Sequence, residues 1–230
     1  MHIPLLSPVG RVRAVSRLSR TGTVCAVLGG AVTALVVARW RPLVNLDERI
    51  AEALHRRAVT EPGLVHVNRL LTDWLWDPWT FRALIAVAVV TLWWRGARPL
   101  AVWVAGTTLL SALVQQGVKA AVGRDRPQWT DPVDSAHYAA YPSGHAMTAT
   151  VSCGLLLWLL HRSGAGRGPW RAAVGAAAVS VLGVGLTRLY LGVHWPSDVL
   201  GGWLLGAALT AFAIRGYDRW CPAGPARRRP

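Results

Sequence analysis

The stretch PSGHAMTATVSCGLLLWLL, residues 142–160, places a short polar motif directly before a long apolar run. The same arrangement recurs in RLYLGVHWPSDVLGGWLLGAALTAFAI, residues 188–214, where a motif with a histidine and an aspartate precedes another apolar run. Ionisable residues beside a membrane-length apolar segment are costly to hold there, and by default they suggest a functional site. The two stretches therefore predict a membrane protein with its chemistry at one surface.

Apolar residues make up 53% of the 230-residue chain and are gathered into runs. A helix needs about 20 residues to cross a hydrocarbon core of roughly 30 Å, and backbone groups in lipid must be satisfied within the segment. We therefore predict an all-α fold, a six-transmembrane-helix bundle. Its predicted spans lie near Thr21–Ala38, Phe81–Trp94, Leu100–Val118, Ala146–Leu160, Ala172–Leu186 and Val199–Ile214.

The net charge of +14 is distributed unevenly among the connections that join these spans. If alternate connections lie on opposite sides, one side carries 14 arginines against a single acid, and the other carries 11 cations against ten acids. An excess of arginine marks the cytoplasmic face. The count predicts a plasma-membrane protein with basic cytoplasmic tails at residues 1–20 and 216–230 and a membrane domain at 21–215. This placement of charge argues against nucleic acid as a partner.

The long connection between the first two spans, roughly Pro42–Thr80, carries helical signals of its own. Leu46, Ile50 and Leu54 recur at helical spacing with charged residues between them, and a second leucine-rich stripe follows. Amphipathic segments of this kind lie in the membrane interface, and we predict that position for them. A cap that shapes substrate entry is the alternative.

Two remaining patterns bear on partners and cofactors. Gly202 and Gly206 have the spacing that lets two helices approach closely, which we interpret as packing within one bundle. We infer no dimer from this spacing, and the oligomeric state stays open. The three cysteines have no paired spacing, and no histidine pair has the spacing of metal ligands on a helix. We therefore predict that the protein needs no metal and no cofactor.

The polar connections beside the two motifs both fall on the outer side by the arginine count, and they carry the groups that a phosphate site needs. Phosphoryl transfer requires fixed cations and backbone donors around the equatorial oxygens. Candidate groups are Lys119, Arg126 and Arg188 as cations, with Ser143 and Gly144 as hydroxyl and N–H donors. The serine and glycine directly precede the fourth span, whose N-terminus favours an anion.

His194 and Asp198 are four residues apart, so a helical turn would bring them to one face. A carboxylate in that position fixes the imidazole tautomer and raises its basicity. This indicates His194 as a candidate nucleophile and His145 as a candidate proton donor to the leaving oxygen. Structural alternatives exist: Lys119 and Arg188 as snorkelling side chains, and Asp198 as the cap of the sixth span.

Together these motifs resemble the three-part signature of the type 2 phosphatidic acid phosphatase (PAP2) family of integral-membrane lipid phosphatases. The first part, Lys-x6-Arg-Pro, matches Lys119–Pro127, and the second, Pro-Ser-Gly-His, matches Pro142–His145. The third part, Ser-Arg-x5-His-x3-Asp, matches Thr187–Asp198, with threonine in place of the serine. The substitution keeps a hydroxyl. With its six spans, the resemblance extends over about residues 20–215.

The resemblance implies hydrolysis of a lipid phosphate monoester or pyrophosphate through a phosphohistidine, without a metal, at the outer face of the membrane. In the roles it implies, His194 is the nucleophile, Asp198 orients it and His145 protonates the leaving group. The implied phosphate-binding residues are Lys119, Arg126, Ser143, Gly144 and Arg188. Phosphatidic acid, undecaprenyl pyrophosphate and phosphatidylglycerol phosphate all fit as substrates, because each joins an anionic head to an apolar tail.

Two other classes of function stay open at this point. The same three-part pocket occurs in vanadium-dependent haloperoxidases, which are soluble and larger oxidoreductases, whereas this chain carries six apolar runs. A non-enzymatic transporter or structural bundle would leave the outer-face cluster of histidines, cations and an acid unexplained.

Overall fold

A computed structural model describes residues 8–221, with side chains from residue 18 onward. Within that range the fold is all-α, as predicted, and has no strand. The helices are α1 (Pro8–Val37), α2 (Arg41–Thr60), α3 (Pro62–Leu70), α4 (Pro78–Trp94), α5 (Arg98–Val122), α6 (Gly144–Arg162), α7 (Arg167–Tyr190) and α8 (Pro196–Trp220). A π-helical turn, Leu71–Leu75, lies between α3 and α4. The predicted tails 1–20 and 216–230 lie partly outside the described residues.

Proline and glycine set several of the helix boundaries. Proline occupies the first or second helical position of α2, α3, α4, α5 and α8. Its missing N–H is not needed there, and its fixed φ suits a helix. Gly123 follows α5 in the left-handed conformation, with φ of 58°, which glycine adopts without strain. These signals separate α5 from the polar loop 123–143, which joins it to α6.

Each of the six predicted spans coincides with a helix. Five described segments are long and apolar enough to cross a membrane: Leu18–Val37, Pro62–Trp94, Arg98–Val122, Arg167–Tyr190 and Pro196–Trp220. Of the helices that coincide with predicted spans, the one outside this set is α6, whose first turns carry two threonines and a serine. It packs against α4, α5, α7 and α8, so neighbouring helices, rather than lipid, cover its polar groups. The count of six spans stays a prediction.

The connection that was predicted to lie in the interface forms α2, α3 and the π-helical turn. The inward face of α2 carries Asp47, Ala51 and Ala58, and α2 contacts α7 and α8. The apolar stripe that the sequence indicated points away from the bundle, since Leu46 is 52% exposed and Ile50 is 36% exposed. Inward packing ties α2 to the helices that carry the site, and its position in the interface stays a prediction.

Gly202 and Gly206 pack α8 directly against α6, within the bundle as predicted. A Cβ on Gly202 would lie 2.7 Å from the carbonyl oxygen of Ser143, and one on Gly206 would lie 3.1 Å from that of Met147. A side chain at position 202 would therefore push against the backbone where α6 begins. The close approach places the N-termini of α6 and α8 side by side.

Candidate active site

The three polar segments meet at one end of the bundle. There α5 and α7 end, at Val122 and Tyr190, and α6 and α8 begin, at Gly144 and Pro196. The structure brings all eight candidate site residues to these helix ends and to the loops that join them. The cluster therefore consists of side chains from four helices and two loops, held by the packing of α6 between its neighbours.

His194 lies immediately before α8, buried, with its ring against Asp198. Its Nδ1 is 3.3 Å from Oδ2 of Asp198, and the same oxygen accepts the backbone N–H of Trp195 at 2.8 Å. Asp198 therefore caps α8 and also contacts the imidazole of His194. The capping role expected from the sequence is thus compatible with a role in orienting the histidine. Because His194 precedes the helix, the capping turn, and not a shared helical face, brings the two side chains together.

Arg126 lies on the loop 123–143 and faces the histidine. One of its terminal nitrogens is 3.2 Å from Nε2 of His194. Its guanidinium also donates to three backbone carbonyl oxygens at 2.6 Å, 3.0 Å and 3.1 Å, those of Val193, Tyr138 and His137. These contacts fix the planar guanidinium in one orientation, with one terminal nitrogen against the imidazole.

Two further cations are buried nearby. Lys119, in the last turn of α5, is 8% exposed, and its ammonium donates to the carbonyl oxygen of Ala139. Arg188, in the last turn of α7, is 5% exposed, with a terminal nitrogen 3.8 Å from a carboxylate oxygen of Asp134. Its Nε has no hydrogen-bond partner among the described residues. A snorkelling side chain keeps its charge in water, so the burial of both cations argues against that alternative.

The start of α6 carries the remaining candidates. Ser143 caps the helix: its hydroxyl accepts a backbone N–H of the first turn at 3.5 Å. The N–H of Ser143 donates to the carbonyl oxygen of Asp198 at 2.9 Å, which joins the starts of α6 and α8. A Cβ on Gly144 would come within 2.7 Å of the side-chain amide of Gln115. His145 follows as the second residue of the helix, whose N–H groups favour an anion.

The charges around His194 are predominantly positive. Burial, followed by the charges of Arg126, Arg188 and Lys119, lowers the pKa of His194 well below its ordinary value. Burial and then the charge of Arg188 lower the pKa of Arg126 to about 10. Cations crowded into a buried site are expected where the ligand itself is an anion. The imidazole of His194 is accordingly neutral at physiological pH, with a lone pair available for chemistry.

Two tryptophans fix the site loops to each other. Nε1 of Trp129 donates to the carbonyl oxygen of Gly192 at 2.8 Å, and Nε1 of Trp195 donates to that of Asp125 at 2.9 Å. Gly192 has φ of +69°, and a Cβ there would lie 2.7 Å from Nε1 of Trp129. The loop before α6 and the turn before α8 are thus held in one relative position, which keeps the arginine of the first beside the histidine of the second.

Sequence reasoning missed a network of charged residues beside the site. Arg124 donates to Oδ1 of Asp198 at 2.7 Å, to the hydroxyl of Ser197 at 2.6 Å and to Asp47 at 2.7 Å. Asp47 also accepts the backbone N–H of Ser197 at 2.9 Å, so a residue 150 positions away caps α8. The sequence could have indicated Arg124, because it is a second arginine two positions before Arg126. It could not have indicated Asp47, because no local sequence pattern links α2 to α8.

The side chains in this cluster suit an anion and not a metal ion. Among the described side chains, no group of three or more histidines, cysteines, aspartates or glutamates is placed to hold a metal ion. The basic groups near His194 are one lysine and two arginines, which can neutralise charge on a phosphate directly.

Comparison with known proteins identifies relatives of this chain. Residues 100–221 match the family model described as "PAP2 superfamily". Phosphatidylglycerophosphatase B of Bacillus subtilis is 33% identical over 46% of this chain and 52% of its own length. Undecaprenyl-diphosphatase of Sulfolobus acidocaldarius is 37% identical over 33% of this chain and 32% of its own. Lipid A 1-phosphatase of Porphyromonas gingivalis is 36% identical over 44% of this chain and 20% of its own. The chain spans about half, or less, of the length of these relatives.

A solved structure shares the fold. The crystal structure of a transmembrane PAP2 type phosphatidylglycerolphosphate phosphatase from Bacillus subtilis matches with a TM-score of 0.76, over 89% of this chain and 99% of that one. The two sequences are 23% identical over this match, so the likeness concerns the fold. Together with the apolar helices, it makes this chain a multi-span membrane protein.

Proposed function

The chain belongs to the PAP2 superfamily, and from that premise we propose that it is a membrane-embedded phosphatase that hydrolyses a phosphate monoester or pyrophosphate of a lipid. The observation that carries the proposal is the buried imidazole of His194. Its Nδ1 lies 3.3 Å from a carboxylate and its Nε2 lies 3.2 Å from an arginine. A basic nitrogen directed into a cluster of cations is what nucleophilic attack on a phosphate needs.

In the proposed first step, Nε2 of His194 attacks phosphorus, so that a P–N bond forms as the bond to the leaving oxygen breaks. Asp198 keeps its hydrogen bond to Nδ1 and stabilises the positive charge that develops on the ring. His145 gives a proton to the leaving oxygen. Bound phosphate favours the protonated form of His145, because an adjacent negative charge stabilises a cation.

In the proposed second step, His145 takes a proton from water, and the water oxygen attacks the phosphohistidine. The P–N bond breaks, phosphate leaves and His194 returns to its neutral form. Throughout, the phosphate oxygens are held by Lys119, Arg126, Ser143, Gly144 and Arg188. These cations and N–H groups neutralise the charge that spreads over the equatorial oxygens, and the proposed enzyme therefore works without a metal or other cofactor.

A groove beside the site supports a lipid as the substrate. It has a volume of about 390 Å³ and is lined mainly by apolar residues of α4, α5 and α6. Thr148, which lines it, is three residues after His145 and therefore on the same side of α6. A hydrocarbon chain in the groove would place its head within about one helical turn of the reacting groups. The names of the relatives above all refer to lipid phosphates, and we propose that class here.

Filling the groove is expected to lower kcat/KM for long-chain substrates and not for short-chain ones. Ala112 of α5 lines the groove, and an Ala112→Trp variant would occupy the space of the chain. We expect kcat/KM for a long-chain lipid phosphate to fall roughly tenfold or more, and that for a soluble short-chain phosphate to stay within about twofold, because remote binding energy is lost only for the long substrate. The matched control is Leu113→Trp, since Leu113 is 61% exposed on the same helix. Equal losses for both substrates would contradict the assignment of the groove.

The proposed activity is tested by phosphate release from purified, detergent-solubilised protein. The substrates are phosphatidic acid, undecaprenyl pyrophosphate and phosphatidylglycerol phosphate, each with and without excess EDTA. We expect release from at least one lipid and no loss in EDTA. No release from any of them would reject the proposed function, and halide oxidation after addition of vanadate would favour the oxidoreductase alternative instead.

We also propose that the termini are cytoplasmic and that the site faces the extracytoplasmic side of the plasma membrane, because arginine is concentrated on the other set of connections. In a variant whose three native cysteines are replaced, Thr130→Cys should react with an impermeant maleimide in intact cells, and Gly166→Cys should not. Both positions are exposed, so accessibility of the side chain does not bias the result. The reverse labelling pattern would turn the site towards the cytoplasm.

A further inference from the structure

Arg124 joins two buried carboxylates that come from opposite parts of the chain. Its terminal nitrogens lie 2.7 Å from an oxygen of Asp47 on α2 and 2.7 Å from Oδ1 of Asp198 on α8. The two aspartate side chains are 1% and 0% exposed, and the arginine side chain is 16% exposed. Charged groups at this depth are strongly unfavourable unless they are paired and hydrogen-bonded. The arrangement therefore depends on Arg124 staying between the two acids.

The two oxygens of Asp198 have separate partners. Oδ1 accepts from Arg124, while Oδ2 accepts the N–H of Trp195 and faces Nδ1 of His194. Arg124 therefore holds one side of the carboxylate while the other side stays directed at the imidazole. If Arg124 were absent, a carboxylate without solvent contact would tend to bind a proton, which would weaken its hold on the Nδ1 proton of the histidine.

We propose that Arg124, held in place by Asp47, is a positioning residue for phosphoryl transfer: it keeps Asp198 ionised and oriented, so that His194 carries its proton on Nδ1 and presents Nε2 to phosphorus. The inference rests on the proposed function, which it deepens. Arg124 acts through Asp198 and not on the phosphate, because its positive charge is already paired with two carboxylates at 2.7 Å. It lies in the unspecified spacer of the Lys-x6-Arg-Pro motif, and Asp47 lies outside residues 100–221, which match the family model.

A purely structural role would be different. Arg124 and Asp47 also join α2 to the start of α8. If this ionic contact served only the fold, its loss would lower the stability of the protein without lowering kcat selectively. The proposal instead requires that loss of Arg124 slows the chemical step while substrate binding persists. It also requires that the loss depends on an intact Asp198, because the arginine acts only through that carboxylate.

The first measurement is the steady-state kinetics of Arg124→Gln on a soluble short-chain lipid phosphate. We expect kcat to fall roughly 10–100-fold, by analogy with the loss of a side chain that orients a metal ligand, with KM within about threefold of wild type. Arg124→Lys restores the charge and should recover most of the lost kcat. The matched control is Arg162→Gln, which breaks another arginine–aspartate pair, 3.1 Å from Asp218, at the opposite end of the bundle. That control should keep the wild-type kcat.

The second measurement is a double-mutant cycle with Asp198→Asn, which by itself should lower kcat roughly 10³–10⁴-fold through loss of the correct tautomer. Arg124→Gln added to Asp198→Asn should cause no further loss, because the group through which it acts is already gone. Combined with Lys119→Gln, which removes a phosphate contact, the two losses should multiply. If Arg124→Gln does not fold, Asp47→Asn replaces it in the same cycle, with the same expectation.

Three results would overturn the inference: a folded Arg124→Gln with wild-type kcat, a loss confined to KM, or losses that multiply in the cycle with Asp198→Asn. An Arg124→Lys variant that is folded but no more active than Arg124→Gln would also count against it. The proposed function fails in a different way, through wild-type protein that releases no phosphate from any lipid, so the two failures are distinguishable.

Discussion

His194→Ala is expected to abolish phosphate release, with kcat reduced by roughly 10⁴-fold or more, the scale seen when a nucleophile is removed. The physical reason is that burial and three neighbouring cations keep the pKa of the His194 imidazole well below its ordinary value, so it is a free base at neutral pH. Its Nε2 lies 3.2 Å from Arg126, where a phosphate would be bound. Brief incubation of wild-type protein with radiolabelled lipid phosphate should trap an acid-labile, base-stable adduct that His194→Ala does not form.

The control for this variant is His66→Ala, which removes an exposed histidine from α3. It should keep both the activity and the adduct. Thermal unfolding of His194→Ala in detergent shows whether the fold persists. A folded His194→Ala protein that retains strong activity, or that still forms the adduct, would show that another group accepts the phosphoryl group.

Arg188→Lys is expected to lower kcat/KM by roughly 10²–10³-fold, equivalent to about 3–4 kcal/mol, comparable to the loss of one oxyanion donor. Lysine keeps the charge but loses the planar fork that binds two phosphate oxygens. The structure supports this expectation, since Arg188 is 5% exposed and its Nε has no partner among the described residues. A buried guanidinium whose Nε–H has no protein partner can donate to a phosphate. A side chain that snorkels from the end of a helix would instead keep its charge in water.

The competing expectation is that Arg188 only snorkels at the end of α7. In that case lysine at this position would support the same kcat/KM, because both side chains can snorkel. Arg98→Lys provides the control, because Arg98 begins α5 at the other end of the bundle and contacts the ring of Trp93. Both variants should unfold at the wild-type temperature. A kcat/KM near that of wild type in Arg188→Lys would remove this residue from the phosphate site.

Much of the fold could be predicted because hydrophobic run length is a local property. The all-α class was predicted correctly, and each predicted span coincides with a helix. The boundaries were less accurate: α7 extends from Arg167 to Tyr190, beyond the predicted Ala172–Leu186. Polar and charged residues continue a helix once neighbouring helices pack against it, so an apolar window underestimates its length.

The sequence pattern of α2 did not indicate its inward face. The leucine and isoleucine stripe, predicted to lie in the membrane interface, points away from the bundle, and Asp47 with two alanines forms the inward face. An aspartate on a buried face looks unfavourable until its partners are known. Here the partners are Arg124 and Ser197, which lie 77 and 150 residues further along the chain, and no local periodicity reports them.

By itself, the sequence determined that the protein is a bundle of apolar helices, and which eight residues stand beside those helices in motifs suited to a phosphate. Both properties depend on neighbouring residues, through the length of apolar runs and the spacing of polar groups. Only the tertiary structure decided that Asp47 caps α8, that Arg124 bridges Asp47 and Asp198, and that Gly202 lies against Ser143. Those contacts join distant parts of the chain, and they arise from helix packing, which no single segment specifies.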